Sequence, residues 1–354
     1  MMALLISVAA TAFVRTRFVL RSRGLRRTPP CLMPEGPECL VHAESLHRRF
    51  AGSTLNRVAI LSGRYTGDGT VPGRSAPPAD WELLRQSLPA LIGGVRVKGK
   101  FIWWELRPLS GALPELTFWS TLGMSGAWST ERSVHSRVAF EVLPIEPSSS
   151  PPGILYYNDQ RNFGVLTVCT EHAALLAKLA KLGPSWLGDG NSKGGGLSLE
   201  TFMEIVRQQC ASPRRGSVRI AKFLMDQGKT SGVGNYVLSE VLYKARVYPW
   251  AACADLADAE WVEVHSAASE TLRASYAAQA ALATATADAA PSATRGTFAA
   301  MQPQFELLAY RRAATPEGPV RVDEGPHGRS VHWVPQRQVR GRTPESEALA
   351  PRSE

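Results

Sequence analysis

Residues 232–243, Gly-Val-Gly-Asn-Tyr-Val-Leu-Ser-Glu-Val-Leu-Tyr, decide the fold of the C-terminal half of the chain. Two glycines indicate a turn, and the apolar residues after them have helical spacing, which predicts a helix over 236–246. A second helix is predicted just before the turn, over 217–227. A glycine-rich turn at a helix N-terminus directs backbone N–H groups at a phosphate. We therefore interpret Gly234, and Asn235 at an N-cap-like position, as phosphate-binding residues.

The rest of the C-terminal half is also predicted to be largely helical. Apolar spacing indicates a helix at 199–209 and one or two more in the alanine-rich stretch 251–283. Residues 284–303 are rich in small residues and are expected to be a loop. Residues 304–312 and 328–335 are predicted to pair as a β-hairpin.

The N-terminal half has the pattern of antiparallel β-structure. Short segments rich in β-branched and aromatic residues are separated by Gly, Pro and Ser turns, as in a β-sandwich or barrel. Short helices are expected over 34–50 and 171–182. The predicted strands are 54–64, 94–107, 114–121, 136–143, 153–157 and 163–169.

The predicted fold class is α+β, with an N-terminal antiparallel β-sandwich flanked by helices and a C-terminal helical domain that ends in a β-hairpin. The polar, glycine-rich stretch 188–196 is the best domain boundary, because linkers have this composition. The predicted units are an extension 1–33, a sandwich domain 34–187, a linker 188–196, a helical domain 197–303, a hairpin 304–338 and a disordered tail 339–354.

The net charge of the 354-residue chain, +9, overstates how basic its body is. Six arginines lie between positions 15 and 27 and no acidic residue precedes Glu35, which leaves +3 for the remainder. Nucleic-acid binding must therefore be argued from local clusters. The five cysteines form no Cys-x-x-Cys pair, and no apolar run reaches the ~18–20 residues of a membrane helix.

Residues 1–32 form an apolar stretch followed by an Arg-, Ser- and Thr-containing stretch without acidic residues. This composition is typical of an organelle transit peptide, or of a poor signal peptide. Upstream sequence read from a misplaced start has the same properties. Both interpretations stay open at this point.

Met33-Pro34-Glu35-Gly36-Pro37-Glu38 is the candidate catalytic segment. If cleavage frees Pro34, its secondary amine has a pKa near ~7.7–8.0 and can attack an electrophilic carbon. Glu35 would then supply general acid–base help. Glu38 is a further carboxylate near the predicted helix start, where the macrodipole favours it. On this segment alone, a Pro- and Gly-rich loop is the simpler interpretation.

Three further motifs each allow a functional interpretation beside a purely structural one. Lys100, in 97–104, begins an apolar strand and is either a solvated charge or a phosphate clamp. Met124, in Leu-Gly-Met-Ser-Gly (122–126), is either a core side chain or a wedge between stacked bases. Arg161 and Phe163, in 158–164, point to the same side of an extended segment. His135-Ser136-Arg137 is most simply surface charge.

In this order, the motifs resemble those of the formamidopyrimidine-DNA glycosylase/endonuclease VIII family, from Pro34 to Gln338. The likeness is greatest to plant, fungal and viral members whose C-terminal finger lacks zinc. The resemblance implies that Pro34 attacks C1′ of a damaged nucleotide, with Glu35 as acid/base and Glu38 as a supporting carboxylate. It also implies that 223–227 and 232–243 belong to the family's helix–two-turns–helix.

The resemblance assigns DNA contacts to the other motifs. Lys100 would reach the scissile phosphate, whereas Lys98 is the less suitable lysine. Met124, Arg161 and Phe163 would fill the gap left by a flipped nucleotide. Asn162 stands where many bacterial members have a second arginine, so one basic contact is expected to be missing.

The C-terminal hairpin resembles the family's finger without its metal ligands. The frame Cys-Pro-x-Cys-Gln reads Val-Pro-Gln-Arg-Gln at 334–338, and 316–320 has no cysteine either. Without thiolates, no tetrahedral zinc site is expected and no cofactor is predicted. Arg329 matches the finger arginine that enters the minor groove and contacts phosphates near the lesion.

The sequence therefore predicts a bifunctional DNA glycosylase/abasic-site lyase for oxidised bases. It would act on double-stranded damaged DNA through a Schiff base on Pro34 and β,δ-elimination, as a monomer away from membranes. The alternative is a non-catalytic binder of damaged or abasic DNA, if residues 1–33 stay attached. A ribosome- or RNA-associated protein is a weaker third idea. The expected compartment is the mitochondrion or plastid if residues 1–32 are a transit peptide, and otherwise the nucleus.

Overall fold

The structure, a computed structural model, describes residues 34–67, 76–144, 153–188, 195–288 and 305–339. The predicted extension 1–33 lies outside these residues, as do most of the predicted linker 188–196, residues 289–303 of the loop predicted over 284–303, and residues 340–354 of the predicted tail. Residues 284–288 are the last residues of the helix Asp258–Asp288, so the loop prediction is wrong there. None of the helices in the described ranges is both long and apolar enough to cross a membrane.

In its described residues, the N-terminal half contains three α-helices and eight strands. The helices are α1 (Gly36–Phe50), α2 (Trp81–Gln86) and α3 (His172–Ala180). The strands are β1 (Thr54–Ile60), β2 (Ala90–Lys98), β3 (Phe101–Pro108), β4 (Leu116–Thr121), β5 (Gly126–Ser129), β6 (Ser136–Leu143), β7 (Gly153–Asp159) and β8 (Val165–Cys169).

The eight strands form one antiparallel sheet in the order β5-β7-β6-β1-β2-β3-β4-β8. The two ends of this sheet pack face to face. Aromatic side chains from strands that are not neighbours in the sheet meet in one core. Trp104 of β3 packs 5.4 Å from Trp128 of β5, and Phe118 of β4 packs 5.0 Å from Phe140 of β6, measured between ring centroids. The α+β class and the antiparallel sandwich predicted from sequence are confirmed.

The prediction of one continuous strand over 94–107 is wrong. The structure has two strands there, with Lys98 paired to Phe101 across a two-residue turn. Gly99 occupies the first turn position with φ +58°, a conformation that favours glycine and suits a tight hairpin. Lys100 therefore lies at a hairpin tip instead of within a strand.

The C-terminal half begins with five helices. They are α4 (Leu199–Cys210), α5 (Pro213–Gly216), α6 (Ile220–Met225), α7 (Asn235–Lys244) and α8 (Asp258–Asp288). The predicted helix 217–227 is shorter than expected, because Gln227 bonds to the turn instead: its amide donates to the carbonyls of Met225 and Val233 and accepts from the N–H of Gly232. Thus α6, this turn and α7 form a helix–turn–helix unit.

The predicted pairing of 304–312 with 328–335 is wrong. The hairpin consists of β11 (Arg321–Glu324) and β12 (Ser330–Trp333), preceded by the short strands β9 (Ala314–Thr315) and β10 (Gly318–Pro319). The N–H groups of residues 308–310 instead donate to the buried carboxylate of Glu240, at 2.7–2.9 Å. This carboxylate satisfies the amides that a partner strand would have needed.

Candidate active site

Close glycine contacts bring three segments of the chain together. The N–H of Gly36 donates to the carbonyl of Gly232 at 2.8 Å, and a Cβ on Gly36 would lie 2.9 Å from Gly232 Cα. A Cβ on Gly99 would lie 2.6 Å from Ser231 Cβ. The start of α1 and the β2–β3 hairpin therefore pack directly on the α6–α7 turn, and neither Gly36 nor Gly99 has room for a side chain.

Glu35 lies at the centre of this junction and caps α7 from another part of the chain. Its carboxylate accepts the N–H groups of Tyr236 at 2.9 Å and Val237 at 3.2 Å. Burial raises the pKa of Glu35 to about 7; Lys100 and the two amides oppose this rise, and the nearby Glu38 adds to it. A carboxyl with this pKa can exchange protons near neutral pH.

Lys100 and Glu35 share one space, over Gly234. A Cβ on Gly234 would lie 2.3 Å from Glu35 Cδ and 2.6 Å from Lys100 Nζ, so that only glycine fits there. Burial lowers the pKa of Lys100, the Glu35 charge opposes this, and the charge of Arg329 lowers it further. The predicted finger arginine is therefore close enough to the predicted lysine to influence it. Lys98 points elsewhere, donating to the carbonyl of Leu179 at 3.4 Å.

Pro34 and Glu38 flank the same junction. Pro34 is buried directly before Glu35. Glu38 accepts the N–H of Glu35 at 3.0 Å and the hydroxyl of Tyr236 at 3.0–3.1 Å. Burial raises the pKa of Glu38, and these donors oppose the rise.

The helix start at Asn235 differs from the sequence prediction. Gly234, in an extended conformation, is the N-cap, and Asn235 is the first helical residue. Asn235 is buried, and its Oδ1 has no hydrogen-bond partner within the described part of the chain. Of the amides expected to be free for a phosphate, those of Tyr236 and Val237 are occupied by Glu35.

The structure brings Met124, Arg161 and Phe163 together at one end of the sheet. Arg161 Nη1 lies 4.0 Å from Met124 Sδ, and the ring of Phe163 is 57% exposed. Asp159 connects the loop that contains Met124 to the loop that contains Arg161 and Phe163. Its carboxylate accepts hydrogen bonds from the hydroxyl of Ser125 and from the N–H of Gly164.

Arg137 is not the surface charge expected from sequence. It is buried, and it donates to the carbonyl of Asp159 at 2.8 Å and to the hydroxyl of Ser62 at 2.9 Å. These bonds support the loop that carries Arg161. Asn162, at the position of the missing arginine, adopts φ +57° in the same loop.

An ion-pair network ties the finger to α7. Glu317 accepts from Arg337 and from the hydroxyl of Tyr243, while Arg337 also donates to the carbonyl of Tyr243 and lies over its ring. Arg337 stands at one of the two positions where the zinc-binding frame has cysteine. Within the described ranges, no cluster of three or more His, Cys, Asp or Glu side chains could hold a metal ion.

The buried polar residues behind the site were not predicted from the sequence. Thr271, Ser275 and Gln279 are all buried on α8. Their four-residue spacing was visible within the alanine-rich stretch, where polar residues on one helix face indicate buried hydrogen bonds. Tyr236 was noted only as part of the turn motif.

Two family models match the chain. The N-terminal domain of formamidopyrimidine-DNA glycosylase matches residues 33–166, and the helix–two-turns–helix domain of the same enzyme family matches residues 197–286. The fold and the site define a protein of the helix–two-turns–helix class with an N-terminal sandwich. The chain belongs to the formamidopyrimidine-DNA glycosylase family.

Curated relatives share about a quarter of their residues with the chain. A formamidopyrimidine-DNA glycosylase of Deinococcus radiodurans is 28% identical over 222 residues, 61% of this chain and 66% of the relative. One of Arabidopsis thaliana is 25% identical over 251 residues, 68% of this chain and 57% of the relative. The chain thus spans less than two thirds of these two relatives.

Solved structures support the fold. The Lactococcus lactis enzyme in complex with DNA containing an abasic site aligns with a TM-score of 0.63 at 20% identity. The alignment covers 86% of this chain and all of that one.

Proposed function

We propose that this chain, in a form that begins at Pro34, is a bifunctional DNA glycosylase and abasic-site lyase that removes oxidised bases from double-stranded DNA. The proposal rests on one observation: Glu35 and Lys100 lie side by side over Gly234. Pro34 directly precedes Glu35, so its nitrogen would lie beside both groups. Family membership and the names of the relatives support the same substrate class.

In the first half of the reaction, the neutral secondary amine of Pro34 attacks C1′. The glycosidic bond breaks, and the base leaves with the bonding electrons and takes up a proton. Protonated Glu35 gives its proton to the sugar ring oxygen, and the ring opens as the Pro34 nitrogen loses its proton and forms an iminium with C1′. The pKa of about 7 for Glu35 suits this exchange.

In the second half, the iminium acidifies the C2′ proton. Loss of that proton expels the 3′ phosphate, a second elimination expels the 5′ phosphate, and water hydrolyses the iminium to return the amine. The Lys100 ammonium, with Arg329 close to it, stabilises the departing phosphate charge. Gly234 and Asn235 lie at the same junction and would contact the DNA backbone with their remaining polar groups.

The exposed Phe163, with Met124 and Arg161 beside it, supports insertion into the duplex. Apolar wedges fill the space left by an extruded nucleotide, and an arginine can bind the unpaired opposite base. The proposal includes a monomer without bound zinc. The compartment is the mitochondrion or plastid for a cleaved transit peptide, and the nucleus otherwise.

The second candidate is a binder of damaged or abasic DNA without catalysis. It is favoured by the fact that Met33 precedes Pro34 in the chain, because an acylated proline nitrogen is not nucleophilic. In this case the insertion residues would still bind the lesion. The mass of the endogenous N-terminal peptide separates the two candidates.

The proposal is tested by trapping with borohydride. Protein beginning at Pro34 is mixed with duplex DNA that contains an abasic site, and the iminium is reduced to a stable adduct. We expect an adduct for this protein and none for Pro34→Ala or for a form that retains residues 1–33. The absence of any adduct, or undiminished trapping by Pro34→Ala, would contradict the proposed mechanism.

A further inference from the structure

A buried polar stripe on α8 lies behind the active site. Ser275 and Gln279 are fully buried one helical turn apart, and Thr271 continues the stripe by one turn in the other direction. Burying such groups without partners is costly, so their partners indicate what the stripe does.

Two of the three residues form hydrogen bonds with Glu38 or Tyr236 at the junction of α1, the β2–β3 hairpin and the α6–α7 turn. Ser275 Oγ lies 3.0 Å from the hydroxyl of Tyr236 and 3.4 Å from Glu38 Oε1. Gln279 Nε2 donates to the same Glu38 oxygen at 3.3 Å. Thr271 Oγ1 has no hydrogen-bond partner in the part of the chain that the structure describes.

Glu38 links these α8 side chains to the segment that contains Pro34. Its Oε2 accepts the N–H of Glu35, which belongs to the peptide between Pro34 and Glu35. Tyr236 contacts both carboxylates, since its backbone N–H donates to Glu35 and its hydroxyl to Glu38. A tyrosine hydroxyl has one proton, so Ser275 and Gln279 supply further side-chain donors to Glu38.

The charge state of Glu38 depends on its surroundings. Glu35, Cys39 and Lys100 face it from α1 and the β2–β3 hairpin, and Tyr236 faces it from α7. Burial disfavours the carboxylate, whereas hydrogen-bond donors favour it. Loss of the α8 donors would therefore favour the protonated form, which is a weaker acceptor for the Glu35 N–H.

We propose that Ser275 and Gln279 are positioning residues of the active site. Together with Tyr236 they hold Glu38 against the Glu35 N–H, and through it they fix the Pro34–Glu35 peptide. The inference rests on the proposed function and extends its machinery to α8.

The test compares Ser275→Ala/Gln279→Met with Thr271→Val, which alters the same buried stripe at a hydroxyl without a partner. Both proteins begin at Pro34, and single-turnover adduct formation with abasic-site DNA is measured at saturating protein. We expect the double variant to lose about tenfold or more in rate at pH 7, since small displacements of reacting groups have such effects. Its affinity for an uncleavable abasic-site analogue and the rate of Thr271→Val should stay within about twofold of the parent.

A pH series separates positioning from general damage to the fold. As the pH rises, Glu38 of the double variant ionises, and the ratio of its rate to the parent rate should increase. Tyr236→Phe removes the hydroxyl from the other side and should show the same trend. It replaces the double variant if that protein does not fold.

A second readout does not depend on turnover. In protein with ¹³C-labelled glutamate carboxyls, the Glu38 titration should move to higher pH in the double variant and stay in place in Thr271→Val. Equal rates for the double variant and Thr271→Val, or an unmoved Glu38 titration, would overturn the inference. If the parent forms no adduct, the proposed function fails, and the titration still decides the role of α8.

Discussion

Glu35 has an environment that changes its pKa strongly from that of an ordinary glutamate. It is buried against a helix N-terminus, beside Lys100 and Glu38, and its pKa is raised to about 7. Because the folded pKa lies above the unfolded one, its protonated form stabilises the fold. That contribution is complete below pH 4.5 and is lost as the pH rises through 7.

Glu35→Gln tests this linkage. The amide resembles the protonated carboxyl, so parent and variant should have similar stability near pH 4.5. By pH 8 the variant should be the more stable by roughly 3 kcal/mol, because a shift of one pKa unit corresponds to about 1.4 kcal/mol. Urea unfolding across this range measures the difference. A difference that is independent of pH would show that Glu35 titrates normally.

Gly234→Ala tests the shared space of Glu35 and Lys100. The new Cβ would lie 2.3 Å from Glu35 Cδ and 2.6 Å from Lys100 Nζ, so both groups must move. We expect the trapping rate to fall about 100-fold, the effect of a displacement of about 1 Å. Gly153→Ala is the matched control, since its Cβ would meet no described atom within 4 Å. Unchanged trapping by Gly234→Ala would disprove the contact.

At the scale of elements, the finger depends on an ion pair where the family frame has cysteines. Arg337 is 19% exposed and Glu317 is 33% exposed, and both bond to Tyr243 of α7. A network of charged hydrogen bonds can hold two elements together without a metal ion.

Arg337→Gln should loosen the finger. We expect a loss of about 2 kcal/mol in unfolding free energy, the typical value of a hydrogen bond to a charged group, and weaker binding to abasic-site DNA. Arg312→Gln, whose ion pair with Glu306 is longer and more exposed, is the control and should stay near the parent. Equal losses in both variants would remove the special role of Arg337.

Chelation tests the absence of a metal in the finger. Extended dialysis against a zinc chelator should leave abasic-site binding, trapping and thermal stability unchanged, because Val334 and Arg337 offer no thiolates. Elemental analysis of the untreated protein should find less than about 0.1 zinc per chain. Stoichiometric zinc, or inactivation that zinc reverses, would contradict this prediction.

Some elements could be predicted from sequence, and others could not. The α6–turn–α7 unit is local, so glycines and apolar spacing sufficed to predict it. The partner of β12 was mispredicted because Glu240, distant in sequence, takes the amides of residues 308–310. The hairpin at Gly99 was missed because both of its strands are apolar, which hides a two-residue turn.

The same distinction holds for the site. Glu35, Lys100 and Arg161 could be proposed as site residues from the sequence because short motifs contain them. Tyr236, Ser275 and Gln279 were missed because their role arises only when α7 and α8 meet α1. The start of α7 was predicted one residue too late, with Asn235 as the N-cap instead of Gly234, since the N-cap depends on backbone angles that the sequence does not specify.

For the whole molecule, the site belongs to neither half alone. One apolar core fills the sandwich and another fills the helical half, and the candidate catalytic groups Glu35 and Lys100 lie where the two halves join. Glu35 from the first half caps a helix of the second, and Arg329 of the finger influences Lys100 of the sandwich. Catalysis should therefore require both halves in one folded chain.

The proposed mechanism depends on the nitrogen of Pro34 acting as the nucleophile. The most direct measurement is peptide mapping by mass spectrometry of the borohydride-reduced adduct with abasic-site DNA. We expect the sugar remnant to be attached to the N-terminal nitrogen of a peptide that begins at Pro34. Attachment to Lys100 or any other lysine, with Pro34 unmodified, would contradict it.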